Sequence, residues 1–341
     1  MSDPMGIALI GAGGAAPAWA RVYGETEEAR VVAVFDESID KARRLAATIP
    51  DAEAFADLGQ LLAQGEIWAA EINLPSDLAM AAATQCLEAG VGVGLRGATI
   101  RSRQAVASLE GAMQSRSAVR LFSPSFYYPP VERARQLLAQ TALGDAQTMR
   151  VRSVLGRYGR SADSLLGEVD VEADRLNSPE FEALSLIFLL GDVQSVHAWE
   201  RDGCVLVTWN AGTGVGAGRY GVYEAIRAPQ VPVRSRLEPL DETFEIAGTD
   251  GYIFGGGITG CVRESPALAT YILDKYEQPV AQLDDNPLAA YRKGADDLIT
   301  ALRRRATPRF GIEWAHEIAL VKDAIRRSLE LGEEISLDGL S

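Results

Sequence analysis

The stretch IALIGAGGAA, residues 7–16, decides the fold of the N-terminal part of the chain. An apolar run is followed by the spacing G-x-G-x-x-A and then by residues that favour a helix. Gly11 permits a tight turn, Gly13 lets the backbone approach a phosphate, and Ala16 lets the helix pack closely on the strand. The positive end of the helix then points at the anion. The pattern therefore predicts a dinucleotide-binding loop, whose cofactor-binding residues are Gly11, Gly13, Gly14, Ala15 and Ala16.

Asp36 completes this cofactor pattern. It follows the next predicted strand about 20 residues after the glycines, where a carboxylate can accept hydrogen bonds from both hydroxyls of a ribose. Because a carboxylate would repel a 2′-phosphate, the pattern predicts NAD(H) rather than NADP(H) as the cofactor. Lys41, Arg43 and Arg44 lie nearby and would suit a 2′-phosphate, although a solvated helix face explains them as well.

Strands and helices alternate at short spacing over residues 1–125. The predicted strand Val31–Phe35 is apolar throughout, as a strand buried on both faces must be. Such alternation predicts a doubly wound parallel sheet with helices on both faces. We therefore expect an α/β fold that begins with a Rossmann domain over residues 1–125.

After Pro129 the pattern changes to longer strands among glycine-rich turns. It predicts a second α/β domain over residues 126–341, built on an open, predominantly antiparallel sheet. Gly218–Glu224 and Val231–Leu237 are predicted as separate strands, and Glu180–Leu190 as an apolar helix. The last two helices are expected in this domain, where they can also pack back on the first.

The composition argues against several classes of function. The formal net charge is −14, whereas nucleic-acid binding needs a basic surface. No apolar run approaches the roughly 20 residues of a membrane span. The three cysteines and two histidines show no metal-ligand spacing, and we interpret the cysteines as buried thiols. We expect a cytoplasmic protein that binds no metal, nucleic acid or membrane.

With these features the chain resembles the glucose–fructose oxidoreductase/inositol dehydrogenase (Gfo/Idh/MocA) family, nearly from end to end. Besides the glycine loop, the matching motifs are INLP at 72–75, LEAG at 87–90, LGD at 143–145, FLLGDVQSV at 188–196 and FEIAGTDG at 244–251. The resemblance implies that Leu74 and Pro75 contact the cofactor. It also implies a sugar, a cyclitol or a derivative as the substrate, and a homodimer or homotetramer formed through the open sheet.

The chain departs from the family where the family handles protons. The Glu-Lys-Pro motif of the family aligns with Arg96-Gly97-Ala98. The catalytic histidine of the family aligns with Phe181, and the aspartate that follows this histidine aligns with Leu184. A further histidine of the family aligns with Ala79. Oxidation of an alcohol releases a proton, which needs a base within hydrogen-bond reach. Arg96 is no such base, because guanidinium stays protonated. Another residue would have to take this role.

Three side chains are candidates for the missing acid or base. Glu182 lies next to the position of the family histidine, on an otherwise apolar helix, although it also suits a solvent-facing helix start. Tyr128 lies where the chain passes between the domains, and Tyr158 follows the first strand of the second domain. Either hydroxyl can donate a proton to a substrate, whereas packing of the rings is the alternative interpretation of both tyrosines.

Arginines suggest a binding site for an anion. Arg96 could contact the cofactor phosphates or an anionic substrate. Arg150 and Arg152 share a strand face and, with Arg157 and Arg160, could clamp a carboxylate or phosphate. Salt bridges in this acidic protein are the alternative interpretation of these four residues.

His197 and His316 are the two histidines of the chain. His197 shares a predicted strand face with Trp199, and we interpret that face as packed or as a subunit interface. His316 follows a helical period and can pack or point into a cleft.

These observations leave three hypotheses for the function. The first is an NAD(H)-dependent oxidoreductase with non-standard acid–base residues, acting on a polar small molecule, for which an anionic group is one alternative. The second is a non-redox lyase, hydrolase or isomerase, and the third is a binding or assembly protein on the same scaffold. The glycine loop and Asp36 favour the first two, and the missing lysine and histidine favour the last two.

Overall fold

A computed structural model describes residues 3–158, 193–211, 219–235, 238–272, 275–279 and 283–340. The predicted helix Glu180–Leu190 and the candidates Arg160 and Glu182 lie outside these residues. Tyr158 is described as the last residue of a strand.

The described chain divides into two compact units. The first contains residues 3–122 and 291–317, and the second contains the described parts of 123–290 together with 318–340. The segment 291–317 is thus grouped with the N-terminal residues although it is far from them in sequence.

The first unit is built on a six-stranded parallel sheet with the order β3-β2-β1-β4-β5-β6. Its strands are β1 Met5–Ile10, β2 Ala29–Phe35, β3 Glu53–Phe55, β4 Ile67–Ile72, β5 Gly92–Arg96 and β6 Val119–Phe122. The helices between them are α1 Ala16–Gly24, α2 Ile39–Ala46, α3 Leu58–Leu62, α4 Ser76–Glu88 and α5 Arg103–Ala112. Every residue of β1 is buried, as its apolar sequence requires at the centre of such a sheet. The predicted Rossmann sheet is confirmed.

A buried ion pair crosses this sheet. Glu71 of β4 pairs with Gly94 of β5, and Gly94 pairs with Arg120 of β6. Because Gly94 has no side chain, the guanidinium of Arg120 passes over it and donates to both carboxylate oxygens of Glu71, at 2.5 Å each. The Tyr23 hydroxyl, from α1, donates to the same carboxylate at 2.7 Å.

Aromatic rings enclose this pair. The Arg120 guanidinium lies 4.8 Å from the ring centroid of Trp19 and 5.1 Å from that of Phe122, within the range of a cation–π interaction. Burial raises the pKa of Glu71, and the charge of Arg120 opposes that rise. Burial also raises the pKa of Tyr23, so its hydroxyl stays protonated and donates.

The second unit is built on a mixed sheet that is mostly antiparallel. Its strands are β7 Ala146–Tyr158, β8 Ser195–Arg201, β9 Cys204–Asn210, β10 Tyr220–Ser235, β11 Leu240–Gly248, β12 Gly251–Gly256, β13 Gly260–Cys261, β14 Leu268–Ile272, β15 Lys275–Pro279 and β16 Ile335–Ser336. The path runs β15-β14-β12-β11-β13-β10-β9-β8-β16, and β7 pairs with β10 and β11. The predicted open sheet is confirmed, although β7 pairs with β10 in parallel.

The prediction of two separate strands at Gly218–Glu224 and Val231–Leu237 is wrong. Both predicted segments contribute to one strand, β10, whose pairing with β7 shifts in register between Arg227 and Pro232. Pro229 and Pro232 resemble turn residues in the sequence, but a bulge accommodates them within the strand. The short strands β13 to β16 were not predicted, because each has five residues or fewer and shows too little of an alternating pattern.

The remaining described helices are α6 Pro124–Tyr127, α7 Pro129–Ala139, α8 Pro287–Arg304 and α9 Ile312–Leu331. One face of the sheet in the second unit is packed: Val196 and Ala198 of β8 are buried there, and the Ala198 amide donates to Ser328 Oγ of α9 at 2.9 Å. None of the helices in the described parts of the chain is long and apolar enough to cross a membrane.

The other face of this sheet presents aromatic side chains. Tyr220, Tyr252 and Tyr271 are exposed and lie in one row across the strands, connected through Thr148 and Ala247. A second row begins at the exposed pair Trp199 and Leu206.

Substitution of Gly94 tests the buried ion pair. A methyl group at Gly94 would overlap both Arg120 and Glu71. Separating a buried charge pair typically costs about 3–5 kcal/mol, so Gly94→Ala should lower the free energy of unfolding by roughly that amount in urea titrations. Gly111→Ala is the matched control, because Gly111 lies in α5 with open space around it. That control should be stabilised by up to about 1 kcal/mol. Equal effects of the two substitutions would contradict the structural role of Gly94.

Candidate functional site

The glycine loop joins β1 to α1, and its first residue needs to be glycine. Gly11 has a φ of +93°, and its amide donates to the carbonyl of Phe35 at 2.7 Å. A Cβ at this position would lie 2.6 Å from the carbonyl oxygen of Asn73. The turn therefore brings the carboxyl ends of β1, β2 and β4 together, as the sequence pattern predicts.

The rest of the loop forms an open cradle at the start of α1. Gly13 is exposed and has no atom within 4 Å of an added Cβ, and Gly14 has a φ of +54°. Ala15 and Ala16 are buried where the helix begins. The first turn of α1 carries no acidic side chain, so its positive end faces the cradle without a nearby carboxylate on the helix.

Asp36 follows β2 and lies against the same loop. One carboxylate oxygen accepts from the amide of Ala12 at 3.0 Å, and the other accepts from the amide of Ser38 at 2.9 Å. These bonds hold the carboxylate beside the cradle. A carboxylate has about four acceptor positions, so it can still accept from the hydroxyls of a ribose.

The end of β4 supplies a polar atom that the sequence analysis did not single out. The backbone amide of Asn73 donates to the carbonyl of Ile10 at 2.7 Å, and the side-chain Nδ2 donates to the carbonyl of Glu71 at 3.0 Å. Its Oδ1 is buried and has no hydrogen-bond partner within the described parts of the chain. The detectable signal was an amide at the carboxyl end of a parallel strand, where ligands bind in such folds. Leu74 and Pro75 follow it at the surface, before α4.

Arg96 ends β5 and is half-buried. A short 3-10 helix, Gly97–Thr99, follows, and the Thr99 hydroxyl donates to the Arg96 carbonyl at 2.6 Å. Arg96 therefore lies at the same edge of the parallel sheet as the glycine loop, which is the position that a contact with a cofactor or an anionic substrate requires.

The candidate acids and bases lie in the second unit. Tyr128 is buried, and its hydroxyl donates to the carbonyl of Asp285 at 3.2 Å. Tyr158 is the last residue of β7, in register with Val233 of β10. Glu182 lies outside the described residues. The catalytic roles of these three residues stay predictions.

The proposed arginine clamp is occupied by a carboxylate. Arg150 is 2.8 Å and Arg152 is 3.9 Å from the carboxylate of Glu224, on the neighbouring strand. The hydrogen bond that Arg150 donates to Glu224 raises the pKa of Arg150. Arg157 donates to the carbonyl of Gln230 at 3.2 Å. The salt-bridge interpretation therefore describes this pair of arginines better than the clamp does.

The two histidines also have protein partners. His316 Nε2 lies 2.9 Å from a carboxylate oxygen of Glu110, within the first unit. The ring of His197 stacks on that of Trp199, with 4.0 Å between centroids. His197 therefore contributes to the aromatic face of the open sheet.

The interpretation of all three cysteines as buried thiols is wrong for two of them. Cys86 is buried, which raises the pKa of its thiol to about 12. Cys204 is exposed at the start of β9, and Cys261 is half-buried. Among the described residues none of the three forms a disulfide, and no group of three or more potential metal ligands occurs there.

Comparison with known proteins agrees with this geometry. Residues 5–95 match the sequence model of an oxidoreductase family, GFO_IDH_MocA, with an NAD-binding Rossmann fold. That model covers the glycine loop, Asp36, Asn73 and the strand that ends at Arg96. The prediction of NAD as the cofactor is confirmed at the level of this family. No curated protein sequence matches the chain.

Solved structures share the fold over both units. A levoglucosan dehydrogenase in complex with NADH and L-sorbose has a TM-score of 0.79 at 15% identity, covering 98% of this chain and 99% of its own. A myo-inositol dehydrogenase from Corynebacterium glutamicum has a TM-score of 0.73 at 17% identity, with the same coverage. An oxidoreductase from Agrobacterium radiobacter, in complex with NAD⁺, L-tartaric acid and magnesium, has a TM-score of 0.75 at 14% identity and 99% coverage of both chains.

Two substitutions separate the roles of the cradle and of Asp36. Gly13→Ala places a methyl group in open space, so the fold should keep its stability while the methyl group blocks the approach of the cofactor phosphates. We expect the dissociation constants of NADH and NADPH to rise together in calorimetric titrations. Asp36→Ala removes a charged acceptor for the ribose hydroxyls. It should weaken the binding of NADH about 10- to 100-fold and the binding of NADPH much less.

The matched control for Asp36→Ala is Asp40→Ala. Asp40 is an exposed acid in the first turn of α2, close in sequence to Asp36. Its removal should leave both dissociation constants unchanged. An equal loss of NADH and NADPH affinity in Asp36→Ala would show that Asp36 only holds the loop through Ala12.

Proposed function

We propose that this protein, whose N-terminal domain belongs to the Gfo/Idh/MocA oxidoreductase family with an NAD-binding Rossmann fold, transfers a hydride between NAD(H) and a polar small molecule. The observation that carries the proposal is the open cradle above Gly13, at the start of a helix whose first turn has no acidic residue. A backbone that faces open space in this way suits a pyrophosphate.

The residues around the cradle fit the dinucleotide. Asp36 can accept from the adenosine ribose, and the buried Oδ1 of Asn73 can accept from a donor group of the cofactor. Arg96, at the end of β5, is placed to contact a phosphate or an anionic substrate. When it is bound, the nicotinamide supplies the hydride acceptor or donor. The polypeptide holds the cofactor and handles the proton.

The proton is the part of the reaction that distinguishes this chain. Oxidation of an alcohol sends a hydride to the cofactor and the hydroxyl proton to a base. The family lysine is replaced in the loop 96–98, so we assign the proton to Glu182, Tyr158 or Tyr128. Tyr128 would first have to break its hydrogen bond to the carbonyl of Asp285.

We propose a sugar, a cyclitol or a derivative as the substrate. The support is the fold shared with a levoglucosan dehydrogenase crystallised with L-sorbose and with a myo-inositol dehydrogenase. A carboxylate on the substrate is compatible with Arg96. Complexes of similar folds contain L-tartaric acid or UDP-GlcNAcA, both of which carry acidic groups.

Turnover tests the oxidoreductase and its acid–base residue together. With NAD⁺ and a panel of polyols and sugar acids, NADH formation is followed by absorbance. Glu182→Gln or Tyr158→Phe should lower kcat about 10²- to 10⁴-fold, the usual contribution of a general acid or base. The NADH dissociation constant should stay unchanged in the affected variant. Tyr128→Phe is expected to have a smaller effect, because its hydroxyl bonds to Asp285.

The outcomes separate the three hypotheses for the function. NADH formation that neither Glu182→Gln nor Tyr158→Phe reduces would reject both residues while keeping the oxidoreductase. Cofactor binding without hydride transfer to any carbonyl, imine or alcohol would favour a non-redox enzyme. Failure to bind either nicotinamide cofactor at millimolar concentration would favour the binding or assembly protein.

We further propose that the aromatic face of the open sheet joins subunits. Exposed aromatic side chains grouped on one face are typical of protein interfaces. Trp199→Arg should shift the protein to monomers in sedimentation equilibrium, because it places a charge in an apolar contact. Trp68→Arg, at an exposed tryptophan of β4 in the first unit, is a matched control that should leave the assembly unchanged. A wild-type monomer at micromolar concentration would reject the proposal.

A further inference from the structure

A cavity lies in the first unit, at the edge of the parallel sheet opposite to the glycine loop. Its volume is about 350 Å³, and its walls are the connection from α5 to β6, the end of α8 with the loop that follows, and the start of α9. Ala118 and Val119, where β6 begins, line it. It therefore lies at the amino ends of the strands, and we call it the back-edge cavity.

Two arginines line the back-edge cavity without a carboxylate partner. Arg116 donates one Nη2 bond to the carbonyl of Ala89 at 3.0 Å, and the side chain of Arg305 makes no hydrogen bond or ion pair with the described residues. The chain has 47 acidic side chains and only 33 basic ones. In such a chain an arginine finds a carboxylate easily, as Arg292 and Arg303 do on the preceding helix. Two guanidiniums in one cavity thus keep donors available for a bound anion.

The backbone of Arg305 is a second, independent observation. Arg305 follows α8 directly and has a φ of +51°. The backbone amide of Ala306 donates to the carbonyl of Ala301 at 2.9 Å, and the backbone amide of Arg305 donates to the carbonyl of Leu302 at 3.4 Å. This is the Schellman ending of a helix, whose left-handed residue is usually glycine because a side chain is strained there. The fold alone therefore favours glycine at position 305. A strained side chain that lines a cavity is typical of a functional position.

We propose that the back-edge cavity binds a small organic carboxylate. The carboxylate would lie on the donors of Arg116 and Arg305, and the apolar part of the ligand would pack on Leu302, Pro308 and Ile312, which line the same cavity. Glu313 also lines the cavity, so a singly charged head group is favoured over a doubly charged phosphate. The volume corresponds to a ligand at the small end of the usual range.

The test uses benzoate, a small aromatic monocarboxylate, and the full chain. Saturation-transfer NMR with and without NADH distinguishes the back-edge cavity from the cofactor cradle, which could also attract an anion. We expect wild-type protein to bind benzoate in both conditions. The substitution Arg305→Gly should lower the affinity for benzoate about tenfold or more. Because glycine relieves the strain at this position, the same variant should be more stable in urea. A residue with only a structural role would not give these opposite changes.

Arg304→Ala is the matched control, since Arg304 is the exposed neighbouring arginine and does not line the cavity. It should leave the affinity for benzoate unchanged. Glu313→Gln should strengthen benzoate binding and also admit phenyl phosphate, because it removes the negative charge of the cavity wall. Equal affinity in wild-type and Arg305→Gly protein would overturn the proposal, as would the absence of benzoate binding to wild-type protein at about 10 mM. Both results leave the NADH measurements of the proposed function unaffected.

Discussion

The buried ion pair between Glu71 and Arg120 is the interaction on which the Rossmann unit depends. It joins β4 to β6 across Gly94, and through Tyr23 it also holds α1. A buried charge is tolerated only when its partners satisfy it, and here the carboxylate accepts from both the guanidinium and a phenol. The carboxylate of Glu71 therefore holds both α1, which begins at the cofactor cradle, and β4, which Asn73 follows.

The cofactor cradle depends on a second constraint, which is the close approach of two backbones. Gly11 lies so near the carbonyl of Asn73 that a side chain at position 11 would separate β1 from β4. Asp36 contributes to the same arrangement, because it accepts the Ala12 amide and so shapes the loop before any ribose is bound. Gly11 and Asp36 of the cradle are thus also structural residues, whereas an added Cβ at Gly13 would face open space that a ligand can enter.

The two edges of the parallel sheet carry different chemistry. Its carboxyl edge presents glycines, Asp36 and Asn73, which suit a dinucleotide with a phosphate and ribose hydroxyls. Its amino edge presents Arg116 and Arg305 in a chain that is otherwise acidic. In the second unit Arg150 and Arg152 instead pair with Glu224, and the open face presents aromatic rings. Charged side chains at the two edges of the parallel sheet can therefore bind ligands. On the sheet of the second unit, the charges of Arg150 and Glu224 neutralise each other.

The sequence by itself determined the parallel sheet, the glycine loop, the position of Asp36 and the resemblance to a family of NAD-binding oxidoreductases. These properties are local or periodic, so a short window of residues contains them. Only the tertiary structure decided which groups meet: the side chain of Glu71 with that of Arg120, Arg150 with Glu224, and the Tyr128 hydroxyl with the backbone carbonyl of Asp285. It also merged two predicted segments into β10, since pairing with β7 and β9 outweighs the turn propensity of proline. Partners 49 to 157 residues apart leave no signal in a local pattern, because only folding brings them into contact.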